Sequence, residues 1–161
     1  MTTPVTDDDI VQGAVKYLLS QPRCVAAVGT TDIGTPLIFQ HQLFYPIEGK
    51  STTAAVVTYN GGSESANLHN TMRFPRIMLE LWADPLRNMG RNTVDPGEVW
   101  RRINAVFSIF DRALHRPQGG TQMWGSVRTI SCQRMAEPIV YPVPDGDGMM
   151  RAATFYGVEQ G

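Results

Sequence analysis

The chain has 161 residues, of which 42% are hydrophobic, and its formal net charge at pH 7 is -1. This length supports one globular domain with a substantial core, whereas two independent domains would each be marginal. The near-neutral charge provides no overall field that would hold nucleic acid or an anionic membrane surface. We therefore predict a single domain over residues 1–161, with proteins as partners and no specific binding of nucleic acid.

The N-terminal segment is acidic and polar, and no apolar run approaches the roughly 20 residues needed to cross a bilayer. We therefore expect a soluble protein without a secretory signal or a membrane span. Its two cysteines, Cys24 and Cys132, are expected to be small, partly buried apolar residues in a reducing compartment rather than a disulfide. Only Lys16 and Lys50 are lysines among the 14 basic residues. This arginine excess fits either protein interfaces or the codon bias of a GC-rich genome.

The chain begins with two predicted helical segments. Three aspartates at residues 7–9 place negative charge where a helix N-terminus favours it, and apolar residues then recur at helical spacing up to Ser20. Pro22 suits the first position of a shorter segment that ends at Gly29, a typical helix stop. We expect this second segment to pack on the first helix.

Three strands are predicted next. Residues 37–44 mix β-forming and polar side chains and predict an outer strand, and residues 53–59 predict a more buried one. The polar run at residues 60–71 predicts a protruding loop that is mobile in the free protein and becomes ordered against a partner. Residues 74–83 alternate in hydropathy, which predicts a strand with one face on the core. The core-facing residues are Ile77, Leu79, Leu81 and Ala83.

The strongest local signal is the helix predicted between Asp95 and Leu114. Asp95 is a good N-cap, Pro96 suits the first helical position, and Glu98 predicts a capping box. An apolar stripe recurs at steps of three and four residues, so one face of the helix should be buried. Six large side chains, each contributing roughly 1.5 to 3 kcal/mol on burial, outweigh the capping terms. The stripe consists of Val99, Ile103, Val106, Phe107, Phe110 and Leu114.

The C-terminal third predicts two more strands. Residues 126–135 resume strand character with Ile130 and Cys132 on one side. A turn rich in proline, aspartate and glycine, at residues 141–148, then leads into a last strand at residues 149–156. Only one helix crosses between strands, so we predict an α+β domain. Its mainly antiparallel sheet packs against the long central helix, with an additional N-terminal helix.

Two short motifs resemble ligand-binding loops, and each has a simpler interpretation. Gly49-Lys50-Ser51 resembles the end of a phosphate loop, but Phe44 stands where the motif requires its first glycine, which favours an ordinary turn. Asp145 and Asp147 alternate with glycines like the start of a calcium loop. Such a loop ends in a bidentate glutamate, and the chain has aromatic residues at its end, so reverse-turn chemistry is the better explanation.

The remaining polar residues predict no active site. His41, His69 and His115 are scattered, and none stands beside a cysteine or carboxylate at metal-ligand spacing. The chain contains no Gly-x-Ser-x-Gly elbow for a hydrolase nucleophile. We therefore predict no catalytic, cofactor-binding or metal-ligating residues, no cofactor, and a protein that is not an enzyme.

The order of these features resembles that of the tail terminator, or tail completion, proteins of long-tailed bacteriophages. The resemblance spans most of the chain. It is carried by the N-terminal helix, the segment CVAAVG, a strand ending in LFYP, the strand FPRIMLELWAD, the long helix, and a closing pair of strands around YPVPDGDGMMRAATFYGV.

The resemblance implies a virion protein at the neck-proximal end of the tail, assembled in the host cytoplasm. Such subunits form a ring, expected to be a hexamer, that caps the tail tube and stops its polymerisation. The implied partners are further copies of the chain, the major tail tube protein and the head-tail connector protein. A neck, or head completion, protein joining tail to head is the nearest alternative. An enzyme that binds a small molecule or nucleotide is an alternative from a different class.

Candidate contact residues for such a ring are polar or charged side chains in predicted loops beside strand ends. Sheet edges carry unpaired backbone groups, and a head-to-tail contact that closes by rotation satisfies them without making a fibre. Simple solvation is an equally good explanation for each residue taken alone. The candidates are Glu64, His69, Arg73, Arg87, Arg91, Asp145 and Asp147.

Overall fold

The computed structural model describes residues 5–66, 71–86, 95–117, 119–144 and 148–160, with side chains throughout except at residues 62–66 and 71–73. The described residues form one mixed sheet and three helices, which confirms the predicted α+β class. In chain order the elements are α1 (Asp7–Leu19), α2 (Pro22–Ala27), β1 (Ile38–Gln40), β2 (Thr53–Ala66), β3 (Thr71–Ala83), α3 (Pro96–Leu114), β4 (Gln122–Trp124), β5 (Val127–Arg134), β6 (Ile139–Pro142) and β7 (Met150–Gln160).

The strands form one sheet in the order β1-β2-β3-β7-β5-β4, with β6 also paired to β7. Only the β1–β2 pair is parallel among the described pairs, so the sheet is mainly antiparallel as predicted. One edge of β7 is shared by two strands in succession, because β6 pairs near Met150 and β5 pairs near Gln160. The sheet is therefore long at its centre and curled at its margins.

Both long helices pack on one face of the sheet, which we call the inner face. α3 contacts β3, β5 and β7, whereas α1 contacts β1 and β2 at one margin and β4 and β5 at the other. The alternation predicted for the third strand is confirmed, since its four core-facing residues are at most 1% exposed. α1 thus closes the curled sheet, and α3 fills its centre.

The first helix is fixed by a tryptophan that the sequence analysis did not identify. Trp124 lies at the end of β4, is fully buried, and stacks on Tyr17 with 5.7 Å between ring centroids. Gly13 of α1 lies against the Trp124 carbonyl so closely that a Cβ on Gly13 would overlap the oxygen. The hydroxyl of Tyr17 donates to the Ala113 carbonyl at 3.0 Å. Strand β4, α1 and α3 therefore meet at this point.

The long helix is where the sequence places it. Asp95 is its N-cap and accepts the Gly97 N–H at 2.9 Å, and all six residues of the apolar stripe are buried. The predicted capping box is wrong, because the Glu98 carboxylate turns along the helix to Arg102, with 3.1 Å between Oε1 and Nε. An i,i+4 acid–arginine pair of this kind competes directly with the box geometry.

The predicted loop at residues 60–71 is largely wrong. β2 continues to Ala66 and β3 begins at Thr71, so most of the polar run forms an antiparallel ribbon, and residues 67–70 lie outside the described residues. The pairing of the ribbon continues from the buried pairs below it, with the register shifted by one residue. A bulge between Tyr59 and Gly62 accommodates Gly61, whose φ of 77° suits glycine. Backbone pairing therefore outweighs the low strand propensity of these residues.

Smaller corrections concern the other strands. β1 is shorter than predicted because the chain turns at His41, which has a φ of 71°. In β5 a register shift between Thr129 and Ser131 changes the alternation, so Thr129 and Cys132 are buried and Ile130 is only partly buried. The first two residues of the turn predicted at residues 141–148 belong to β6, and residues 145–147 lie outside the described residues.

Candidate assembly surfaces

The ribbon formed by β2 and β3 extends beyond the body of the sheet. β3 pairs with β7 only as far as Arg76 opposite Gly157, whereas its pairing with β2 continues to Thr71 opposite Ala66. Pro75 is the first residue of β3 beyond the β7 ladder, and proline lacks the N–H that the ladder would need. The ribbon therefore consists of two strands over roughly 15 Å, at about 3.3 Å per residue.

Two of the seven predicted contact residues lie in this ribbon. Glu64 and Arg73 are register partners on its two strands. The structure thus places opposite charges at facing backbone positions of two strands, whereas both residues were predicted to lie in loops beside strand ends. The other five lie outside the described residues, and the contact role of all seven stays a prediction. Those five are His69, Arg87, Arg91, Asp145 and Asp147.

A cleft of about 580 Å³ lies at the base of the ribbon. It opens where β3 and β7 diverge, and Gly157 forms part of its lining with the Met135 side chain close above. Arg76 stands on its β3 side, where the guanidinium lies 5.9 Å from the Phe155 ring centroid and Nε donates to the Asn60 carbonyl at 3.3 Å. The full lining is Phe74, Arg76, Ser131, Gln133, Arg134, Met135, Gly157, Val158 and Glu159.

The sequence analysis missed this cleft for a physical reason. Its residues come from three strands that are far apart in the chain, and its depth depends on the divergence of β3 from β7. Pro75 is the one local signal, because a proline inside an otherwise regular strand marks the place where pairing on one edge ends. The cleft therefore follows from the topology, which the residue pattern left open.

The outer face of the sheet, opposite the helices, is held together by an arginine. The Arg151 guanidinium lies 4.9 Å from the Trp82 ring centroid and 5.5 Å from that of Tyr141, and it contacts the buried Glu80 carboxylate at 2.7 Å. These residues lie on β7, β3 and β6. The cluster ties three strands together, so a structural role accounts for its charges.

A second polar cluster joins α3 to the sheet. Asp111 accepts the Tyr156 hydroxyl at 2.7 Å and Nη1 of Arg134 at 2.8 Å. Burial, followed by the hydrogen bond to Asp111, raises the pKa of Tyr156 far above its ordinary value. The tyrosine therefore remains a hydrogen-bond donor at physiological pH, and the cluster fixes the helix to β5 and β7.

The two cysteines and Lys50 have structural explanations. Burial raises the pKa of the Cys24 thiol to about 11 and that of Cys132 to about 12, so both are unreactive at neutral pH. Both cysteines are free, as predicted, and they are fully buried where partial burial was expected. Lys50 donates to the Tyr45 hydroxyl at 2.9 Å and lies 4.4 Å from the centre of that ring, in keeping with a turn.

The two histidines in the described residues, His41 and His115, are likewise engaged within the chain. Nε2 of His41 lies 2.7 Å from the Asp8 carboxylate, and Nδ1 of His115 accepts the Arg134 N–H at 2.9 Å. Within the described ranges, no three metal-binding side chains come together. No helix among these residues is both long and apolar enough to span a membrane.

Comparison with known proteins reveals a likeness to solved structures. A scan against protein-family models finds no match, and a search of the curated proteins finds none. Among solved structures, a chain of the structure described as "Virion of native gene transfer agent (GTA) particle" matches with a TM-score of 0.57 at 13% sequence identity. The match covers 94% of this chain and 95% of that chain. At this identity the likeness establishes a common fold over nearly the whole length of both chains.

Proposed function

We propose that the chain is a structural protein of a phage-like virion and acts there as a tail terminator. In this role it forms a ring, expected to be a hexamer, on the end of the tail tube. The ring stops polymerisation of the major tail tube protein and presents a joining surface to the head-tail connector protein. The whole chain acts as one domain, and its place is the neck-proximal end of the tail.

The observation that carries the proposal is the fold shared with a chain of a gene transfer agent virion, which extends over almost all of both chains. The order of sequence features, which resembles that of tail terminators, supports the narrower role. The polar clusters of the described residues add to this, because Asp111 and Arg151 are each committed to contacts between the chain's own elements.

A ring can end polymerisation without chemistry. In the described residues, β1 and β4 each have a single neighbour in the sheet, so the subunit has two different margins. A head-to-tail contact between different surfaces closes into a ring when the rotation is correct. The closed ring then covers the tube with one side and presents another surface above, so the next tube subunit finds no matching site.

The proposal is tested by mass measurement and negative-stain imaging of the purified chain, alone and mixed with tail tubes. We expect closed rings that bind one end of the tube. A strictly monomeric chain that does not bind tube ends would contradict the proposal. The same images show the number of subunits, so they also test the expected hexamer.

Deleting the gene for this chain and imaging the resulting particles distinguishes a terminator from a neck protein. Loss of a terminator removes the stop signal, so tubes should grow beyond their normal length. Loss of a neck protein should leave tails of normal length that do not join heads. Overlong tubes would support the terminator, and finished but unattached tails would assign the chain to the neck.

The ribbon gives this proposal a candidate contact element. A two-stranded ribbon is marginally stable on its own in water, so contact with a partner should stabilise it. We expect backbone amides at residues 61–66 to exchange faster in the isolated subunit than in the ring. Equal and strong protection in both states would show that the ribbon does not respond to assembly.

A further inference from the structure

The loop before β1 presents the most exposed large apolar side chain in the described part of the chain. Ile33 is 89% exposed and stands at the tip of a small hairpin. The hairpin is well ordered by its own hydrogen bonds, since the Thr31 N–H donates to the Thr35 carbonyl at 2.8 Å and the Gly34 N–H donates to the Thr31 carbonyl at 2.9 Å. An isoleucine held at the end of such a turn forms a rigid apolar knob.

Part of the cleft at the ribbon base is apolar and unfilled, as a site for such a knob must be. Phe74 and Met135 supply apolar surface, Met135 is itself 60% exposed, and Gly157 contributes no side chain to fill the space. Its volume of about 580 Å³ leaves room for a branched aliphatic side chain and its flanking residues. Burial of Ile33 and of this lining would remove apolar surface of both from water.

The charges beside the two features also match. Asp32 stands next to Ile33 at the hairpin tip, and Arg76 stands on the wall of the cleft. Oδ1 of Asp32 already accepts the Tyr45 hydroxyl at 2.9 Å, and the Asp32 side chain remains exposed. The cleft also contains Glu159, whose carboxylate accepts the Ser131 hydroxyl at 3.0 Å. Because Glu159 lies on the β7 side, an incoming Asp32 is favoured only on the β3 side, beside Arg76.

The knob and the cleft lie at opposite ends of the sheet. The hairpin joins the sheet where the Gly29 N–H donates to the Thr53 carbonyl, and Thr53 is the register partner of Ala83. The cleft begins at Arg76, seven residues along β3, which corresponds to about 23 Å of strand. A knob and a cleft this far apart suit a contact between successive copies, and such heterologous contacts are the kind that close into rings.

We propose that the Ile33 hairpin of one copy inserts into the cleft at the ribbon base of the next copy. The occupant of the cleft is thus a second copy of this chain. This inference rests on the proposed ring and identifies the surfaces that form it. It also places the contact beside Glu64 and Arg73, the two predicted contact residues in the ribbon.

Two variants test the contact from its two sides. Ile33→Ser removes the knob, and Gly157→Leu fills the cleft. Each should weaken the contact between subunits roughly tenfold to a hundredfold, as expected for loss of one buried aliphatic side chain. Met123→Ser is the matched control, because Met123 is 58% exposed on β4 and lies in neither feature. Thermal melts of each variant show whether the subunit remains folded.

Cross-linking tests the pairing directly. The double variant Ile33→Cys with Met135→Cys should give covalent dimers and higher multimers up to the size of the ring when treated with a short bismaleimide. The native cysteines are both buried and should not react. Each single-cysteine variant, and Met123→Cys combined with Met135→Cys, should give only monomer.

The outcomes separate this contact from the ring itself. If the unmodified chain and Ile33→Ser both form rings, and the double cysteine variant gives no cross-links, the contact is overturned and the terminator proposal stands. Loss of tube binding with intact rings in Ile33→Ser would assign the knob to the tube protein and overturn the contact as well. Failure of the unmodified chain to form rings would overturn both.

Discussion

The two faces of the sheet are built in different ways. The inner face is covered by α1 and α3, and it forms a continuous apolar core from Ile10 to Val158. The outer face has a smaller buried cluster of Leu37, Ile47, Ala54 and Met149, and beyond it the Arg151 cluster and the open cleft. The difference indicates that the inner face supplies most of the stability, whereas the outer face and the hairpin loops contain the surfaces of the proposed contacts.

The largest effect should come from the centre of the inner face. Phe107 is 8% exposed and packs under the Arg134 guanidinium, 5.9 Å from the ring centroid. Phe107→Ala should therefore lower the free energy of unfolding by roughly 3 to 5 kcal/mol in denaturant melts. Ile139→Ala, at a residue on β6 that is 69% exposed, is the control and should change it by less than about 0.5 kcal/mol. A loss below about 1 kcal/mol for Phe107→Ala would show that this face is not the main core.

The contact between α1 and β4 should give a smaller loss. Gly13→Ala improves intrinsic helix propensity by about 1 kcal/mol, but its new methyl group must displace the Trp124 backbone. We expect a net destabilisation of roughly 1 to 3 kcal/mol, the usual range for overpacking. Gln12→Ala on the exposed side of the same helix is the control. A stabilised Gly13→Ala protein would mean that the sheet margin yields easily there.

The sequence predicted the inner face better than the outer one. The stripes of α3 and β3 were predictable residue by residue, because one buried face imposes a period of 3.6 or 2 on the chain. The apolar face and acidic first turn of α1 were equally visible. Hydrophobic periodicity indicates which side of a helix or strand is buried. It therefore predicts the structure well where a helix covers a sheet.

The features that failed depend on pairing between distant segments. β4 is three residues long, too short for a period, so the burial of Trp124 was not visible. The ribbon at residues 60–66 contains glycine and serine, which local propensity assigns to a loop, and only the register of its neighbours makes it a strand. The cleft follows from the end of the β3–β7 ladder near Pro75, which no single segment encodes. The candidate contact residues were chosen from predicted loops and so depend on the same local propensity.

A pH titration distinguishes buried thiols on the inner face from exposed ones. Burial raises the pKa of Cys24 to about 11 and that of Cys132 to about 12, from an ordinary value of 9.0. Above pH 9 the unfolded chain releases thiol protons that the folded chain retains, so stability is full below pH 9 and falls as the pH rises towards 11 and 12. The raised pKa of Tyr156 acts in the same direction above about pH 10.

The measurement is the free energy of unfolding at pH 7, 9 and 10.5. The loss between pH 7 and 10.5 should be smaller in the double variant Cys24→Ala with Cys132→Ala than in the unmodified chain. Comparing slopes removes the constant cost of the two substitutions themselves. Identical slopes for both proteins would show that neither thiol is shielded from water in the folded state.

The smallest effects are expected at the ribbon charges, where Glu64 and Arg73 occupy facing positions. If they contact a neighbouring subunit, Glu64→Arg or Arg73→Glu should weaken ring assembly by up to about 1 kcal/mol per contact, and added salt should reduce the difference. Neither change should alter the melt of the isolated subunit by more than about 0.5 kcal/mol.

The double reversal, Glu64→Arg with Arg73→Glu, decides between two pairings. If Glu64 and Arg73 pair with each other within one ribbon, the double reversal again places opposite charges at facing positions, and assembly should recover. Contacts with fixed charges on a neighbour are not restored, because each partner then meets a charge of its own sign. We expect assembly to stay weak in the double variant at low salt, measured by the dissociation constant of the ring. Full recovery would place these charges in the internal stability of the ribbon and remove them from the assembly surface.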